Sequence, residues 1–174
     1  MRDRIGNFLR TKTFKEACFF LGTIFFILTL FITLDPQPFL RFGYLGVFVF
    51  NLFGPGTLLI PTLAKIMNIP MLAATAALGM MFNDSVAWLI GNTGQVFIGK
   101  PQKLVKIQKT IEKFGLWALF FWSLIPIPYD IVGLVAGYLN IPYKKYILPT
   151  FSGKFVRFIL MGYGFMQIFS NLGK

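Results

Sequence analysis

FGYLGVFVFNLFGPGTLLIPTLAKIMNIP (residues 42–70) overlays FGLWALFFWSLIPIPYDIVGLVAGYLNIP (residues 114–142) without a gap, 72 positions further along the chain. Phe42, Gly43, Phe48, Leu52, Ala64, Asn68, Ile69 and Pro70 meet Phe114, Gly115, Phe120, Leu124, Ala136, Asn140, Ile141 and Pro142. In both copies Phe-Gly opens an apolar run, a proline-containing break interrupts it, and Asn-Ile-Pro closes it. The breaks are Gly54-Pro55-Gly56 and Pro126-Ile127-Pro128. Proline removes a backbone donor and glycine loosens a helix, so an unbroken span here would leave carbonyls unpaired in lipid. One reading is a single kinked helix; the recurrence of the break favours two half-helices folded back as a re-entrant hairpin. Broken apolar segments in corresponding halves point to a transport-type site.

Composition fixes the solvent of this chain. It is 56% hydrophobic and 18% aromatic, with 13% charged residues, about half the usual share of a soluble domain. Mean hydropathy is +0.68. So much apolar surface in 174 residues calls for lipid around it rather than one small aqueous core. No histidine is present and Cys18 is the single cysteine, which excludes the usual zinc sites, an intrachain disulfide and any His-based catalytic pair. No metal, cofactor or bond-breaking chemistry is expected.

The net charge of +11 sits at the edges of apolar segments. Arg2, Arg4, Arg10, Lys12 and Lys15 precede the first; Lys100, Lys103, Lys106, Lys109 and Lys113 lie between the copies; Lys144 and Lys145 follow the second. This distribution fits loops held against anionic headgroups on the cytoplasmic side, and a nucleic-acid partner is not expected.

Ala17 to Leu34 is an uncharged run of 18 residues, which as a helix spans about 27 Å, enough for a first transmembrane helix. A cleaved signal peptide is the alternative, disfavoured by the length of the run and the lack of a small-x-small site. Asp35 to Phe42 reads as a loop, Gly43 to Ile66 as the first broken segment, and Pro70 to Ile98 as a spanning helix. Pro101 to Lys113 reads as an amphipathic helix with Leu104, Ile107 and Ile111 on one face, lying at the headgroup layer. Phe114 to Leu139 is the second broken segment and Tyr146 to Phe169 the last span.

With a cytoplasmic N-terminus, twelve basic residues fall inside and three (Arg41, Lys65 and Lys174) outside. The expected fold is therefore all-α and integral to the membrane. A region of residues 1–41 carries the basic N-terminus and first helix, and a domain of residues 42–174 holds two inverted repeats. These repeats, 42–98 and 114–170, each comprise a re-entrant hairpin plus a spanning helix, and the amphipathic helix 101–113 joins them. The plasma (inner) membrane of a prokaryote is the expected location, and a homo-oligomer stays open.

Charges inside the apolar segments mark the candidate site. Asp84 lies fourteen residues past Pro70, and Arg157 fifteen past Pro142, at nearly equivalent places with opposite sign. Lys154 shares a helix face with Arg157. An ionised group at the bilayer centre costs at least a few kcal/mol, so Asp84 should pair with Lys154 or Arg157, either to fix packing or to serve a site. Asp130 follows the second break, where it could cap the returning half-helix or act as a proton- or cation-responsive group at the hairpin tip. The first break carries no charge, only Asn51, Thr57 and exposed backbone, a weak anion-binding signal.

Gly79-Met-Met-Phe-Asn-Asp84 with Ala87-Trp-Leu-Ile-Gly91, Pro126-Ile-Pro128-Tyr-Asp130 with Gly133-Leu-Val-Ala-Gly137, and Ser152-Gly153-Lys154-Phe-Val-Arg157 together resemble the motifs of the DedA-like, or VTT (SNARE-associated) domain, membrane family. The likeness covers roughly residues 42–169 and is nearest to the short YqaA-like branch. It implies movement of lipid headgroups between leaflets, as a flippase or scramblase of polyprenyl phosphate or phospholipid, with membrane lipids and their anionic headgroups as partners. Asp84, Asp130, Lys154 and Arg157 are then the candidate residues, the cations for phosphate and the acids for coupling or gating. The chain departs from the family at the first break, which lacks the usual acidic residue, and at the second, which lacks the usual arginines. The alternatives are a small-ion or solute transporter on the same scaffold and a non-transporting membrane organiser.

Overall fold

The computed structural model describes residues 20, 23–24, 27–32, 34–35, 37–53, 56–93, 102–126 and 128–172. The N-terminal basic cluster, Cys18, Gly54, Pro55, Ile127, Lys100 and Lys174 lie outside the described residues. Regular structure among the described residues is helical throughout. The described part of residues 20–34 is helical up to Leu34. Then come α1 (Gln37–Leu40), α2 (Gly43–Phe53), a 3-10 turn (Gly56–Leu59), α3 (Ile60–Leu63) and α4 (Ile69–Asn92). The second half contains α5 (Gln102–Phe114), α6 (Leu116–Leu124), α7 (Asp130–Tyr138) and α8 (Tyr143–Leu172).

Local chemistry explains where these helices begin and end. Asp35 Oδ1 accepts the Gln37 amide at 3.1 Å, which starts a helical turn where the sequence suggests a loop. Asn68 Oδ1 accepts the Met71 amide at 3.2 Å and caps α4, with Pro70 in the first turn where its missing donor is harmless. α4 ends at Asn92 with Thr93 as its C-cap, and residues 94–98 of the expected span lie outside the described residues. Gly91, Asn92 and Thr93 are poor helix formers, and the Thr93 hydroxyl bonds back to the Ile90 carbonyl at 2.6 Å. α8 starts at Tyr143, three residues earlier than the apolar run suggests, so Lys144 and Lys145 lie in its first turn. Among the described residues α4, at 24 residues, is the helix both long and apolar enough to cross a membrane. α8 has 30 residues, but Lys144, Lys145, Lys154 and Arg157 lower its hydropathy.

The two halves pack in corresponding ways. α2 lies against α4 and α6 against α8, each first arm on the long helix of its own half. The second arms cross over: α3 contacts α8, and α7 lies along α4. α4 and α8 also pack on each other. Glycines permit the closest approaches. A Cβ on Gly79 would strike the Phe48 carbonyl and the Asn51 side chain; one on Gly153 would strike the Phe120 carbonyl and Ser123 Oγ. Phe48 and Asn51 are the 72-residue counterparts of Phe120 and Ser123. Gly91 and Gly137 let α4 and α7 meet backbone to backbone, at the Leu134 and Trp88 carbonyls.

Two apolar cores result. One gathers Val47, Phe50, Leu59, Leu63, Leu72 and Ala76 around Phe158 of α8. The other gathers Ile107, Ile111, Leu119, Val132 and Ala136 around Tyr146 of α8. The amphipathic α5 therefore buries Ile107 and Ile111 against the second half, besides exposing a basic face.

Candidate functional site

Asp84 lies far inside α4 and Lys154 inside α8, and both are buried. They are 6% and 2% exposed, and Lys154 Nζ stands 2.8 Å from Asp84 Oδ2. Of the two cations on that face of α8, Lys154 takes the carboxylate. The pairing is enforced from below: Tyr129 presents its ring 4.9 Å from Lys154 Nζ, and its hydroxyl meets Thr150 Oγ1 at 2.9 Å and donates to the Leu119 carbonyl at 3.2 Å. The Tyr146 hydroxyl donates to the Asp84 carbonyl at 3.3 Å, tying α8 to α4 at the same level.

Arg157 is provided for differently. It is 7% exposed, yet among the described residues no carboxylate reaches it. Nη1 donates to the Ile125 carbonyl at 3.3 Å, Nη2 approaches Met80 Sδ at 3.6 Å, and Nε has no partner. The Phe158 ring lies 4.9 Å from its Cζ. Met80 Sδ also receives Lys154 Nζ at 3.8 Å and Thr57 Oγ1 at 3.5 Å. A thioether is a weak acceptor, so three donors converging on one sulfur remain under-satisfied in a place where unmet donors are costly.

These groups surround a cavity of about 240 Å³, lined by Asn51, Thr57, Met80, Asn83, Asp84, Pro126, Pro128, Tyr129, Asp130, Lys154 and Arg157. All six polar candidates from the sequence, Asn51, Thr57, Asp84, Asp130, Lys154 and Arg157, line it. Both prolines of the second break do so too. Gly56 opens the 3-10 turn against the Asn51 side chain, while Gly54 and Pro55 lie outside the described residues. Asn51 Nδ2 bonds the Val47 carbonyl at 2.8 Å and leaves Oδ1 buried without a partner. Asn83 Nδ2 bonds the Leu52 carbonyl at 2.7 Å, which fastens the end of α2 beside the cavity.

Asp130 does not cap α7. Tyr129 occupies the N-cap position, no side-chain cap bond forms, and Asp130 is the first helical residue, exposed at the cavity rim. Its carboxylate complements the helix dipole from there. Met80 and Asn83 were not singled out from the sequence. Met80 could have been found as the residue one turn before Asp84, on the same helix face.

Chemically, the cavity offers two cations, one carboxylate that balances Lys154, and a second carboxylate at the mouth. The donors left over, Arg157 Nε above all, suit the oxygens of a phosphate or carboxylate.

No curated protein and no solved structure matches the chain. The family model of the VTT domain matches residues 54–166, which takes in the break at Gly56, α4, the second break and the charged stretch of α8. The chain belongs to the VTT-domain, or DedA, membrane protein family.

Proposed function

We propose that this protein moves lipid headgroups between the leaflets of a membrane, through a polar path in which the cavity between the two breaks receives the headgroup phosphate. The observation that supports this most is Arg157. It is a buried guanidinium held by one carbonyl and a thioether, with a nitrogen left unpaired, in a fold whose surroundings are lipid. A cation kept only for packing would be expected to have a carboxylate, as Lys154 has. The activity proposed is non-enzymatic transport, in the short YqaA-like branch of the family.

The architecture proposed with it is a pair of inverted repeats, residues 42–98 and 114–170, each a re-entrant hairpin and a spanning helix, after a first transmembrane helix within residues 1–41. The matching helix contacts and the two glycines of positive φ, Gly43 and Gly115, support the repeat. Under this topology the N-terminus, Lys106 and Lys145 face the cytoplasm of a prokaryotic cell, and Lys65 faces the other side. Cysteines introduced at 65 and 106 in a Cys18→Ala background should label from opposite sides. Labelling from the same side would remove the inversion.

Transport is tested in liposomes carrying fluorescent lipids with several headgroups. The purified protein should equilibrate lipid between leaflets, and Arg157→Gln should slow this by at least tenfold while the protein stays folded. An Arg157→Gln protein as fast as the parent would overturn the role of the cavity. Flux of small ions without lipid movement would shift the reading to a solute transporter on the same scaffold.

A further inference from the structure

Outside the cavity, the largest basic feature among the described residues is the exposed side of α5. Lys106, Lys109 and Lys113 follow one another at helical spacing and line a depression of about 390 Å³ together with Thr110 and Phe114. Among the described residues none of the three makes an ion pair. The single carboxylate of this helix, Glu112, accepts a hydrogen bond from Gln108 Nε2 at 2.9 Å. Lys113 Nζ lies 5.1 Å from the Phe114 ring.

Thr110 and Phe114 also form one end of a second depression, of about 370 Å³, between α5 and α6. Its walls are apolar: Trp117, Phe121, Trp122 and Ile125. Trp117 is 68% exposed and Phe121 55%, so among the described residues an exposed aromatic surface lies next to the three lysines. The trough ends at Ile125, whose carbonyl accepts from Arg157 Nη1, and the following residue, Pro126, lines the polar cavity.

We infer that these two depressions form a single docking groove for an anionic membrane lipid, with the headgroup phosphate among Lys106, Lys109 and Lys113 and an acyl chain along Trp117, Phe121 and Trp122. Cations beside a trough of exposed aromatic rings match a ligand with a charged head and an apolar tail. They match neither a nucleic acid, which would leave the trough empty, nor an acidic peptide, which would not fill it with hydrocarbon. Amphipathic basic helices hold anionic lipid by this combination of charge and buried apolar area. Here the trough adds a fixed direction, from the headgroup layer toward the cavity. The groove stands whether or not the cavity moves lipid.

Trp117 and Trp122 make docking observable. The full-length protein in nanodiscs of phosphatidylcholine should have its tryptophan fluorescence quenched by a small fraction of brominated phosphatidylglycerol far more than by the same fraction of brominated phosphatidylcholine. Lys106→Gln, Lys109→Gln and Lys113→Gln together should reduce the preference for the anionic lipid by roughly a hundredfold, about fivefold per lysine. High salt should reduce it in the unaltered protein, a check that does not depend on how the triple variant folds. Trp117→Phe with Trp122→Phe should remove the excess quenching. Arg157→Gln should leave it in place even where it stops lipid movement, which separates this groove from the cavity. Equal quenching by both lipids would overturn the inference. So would a preference that survives both the triple substitution and high salt, or a trough shielded from both lipids by a second copy of the chain.

Discussion

Asp84 in the first half and Lys154 in the second face each other across the contact between the two long helices, while their surroundings differ in kind. Around the first break the polar groups are neutral: Asn51, Thr57 and Asn83, each donating to a nearby carbonyl or to the Met80 sulfur. Beside the second break stand Asp130 at the rim, the Tyr129 ring under Lys154, and Arg157 reaching the Ile125 carbonyl. Matching helix contacts thus enclose a cavity whose charge is supplied unevenly. The first half contributes one carboxylate and a thioether, the second both cations and the rim carboxylate of Asp130. The corresponding helix contacts make the frame, and the side chains that differ between the halves set what the frame holds.

The largest consequence follows from the ion pair. Asp84→Asn takes the ion-pair partner from Lys154 at 2% exposure and leaves it the Met80 sulfur and the Tyr129 ring, and should cost roughly 3–5 kcal/mol. Adding Lys154→Gln removes the stranded charge and should restore much of that loss. Thermal unfolding in detergent of the parent, both single variants and the double variant measures the coupling. If the double variant lost as much as the sum of the single ones, the pair would contribute nothing as a pair, and the charge difference between the halves would need another explanation.

Next in size are the glycine contacts that give both halves the same packing. Gly79→Ala pushes a methyl into the Phe48 carbonyl, and Gly153→Ala pushes one into the Phe120 carbonyl. Backbone cannot yield as a flexible side chain does, so each should cost roughly 1–3 kcal/mol, within a factor of two of the other. Unfolding of the two variants side by side tests whether the first arms dock equivalently. A large cost at one site and none at the other would mean that the halves share sequence without sharing contacts.

Much of this was legible beforehand, because the frame depends on groups whose physics is local. Phe-Gly before an apolar run, proline in its middle and a charge inside a lipid-facing segment each carry their meaning in a few residues. The choice of partner for Asp84 was not legible, since Lys154 and Arg157 lie on one helix face and only the approach of α4 to α8 selects between them. Met80 was hidden for another reason: its sulfur matters as the shared acceptor of three donors from two other elements, while in the sequence it is one more apolar residue. Asn-Ile-Pro shows the opposite limit. Asn68 caps α4 at φ −63°, but Asn140 stands at φ +55° after α7, so one word closes the two segments in two conformations.

The smallest effect tests the repeat at its most exposed point. Gly43 and Gly115, 72 residues apart, have φ of +54° and +57°, and a Cβ would meet nothing within 4 Å at either. Any penalty for alanine there comes from the backbone alone, about 1–3 kcal/mol for a residue other than glycine held at such a φ. Gly43→Ala and Gly115→Ala should therefore destabilise by nearly equal amounts. Thermal unfolding in detergent of the two variants side by side measures this. An unequal pair of alanine costs would show that the two Phe-Gly openings do not hold the chain in the same way.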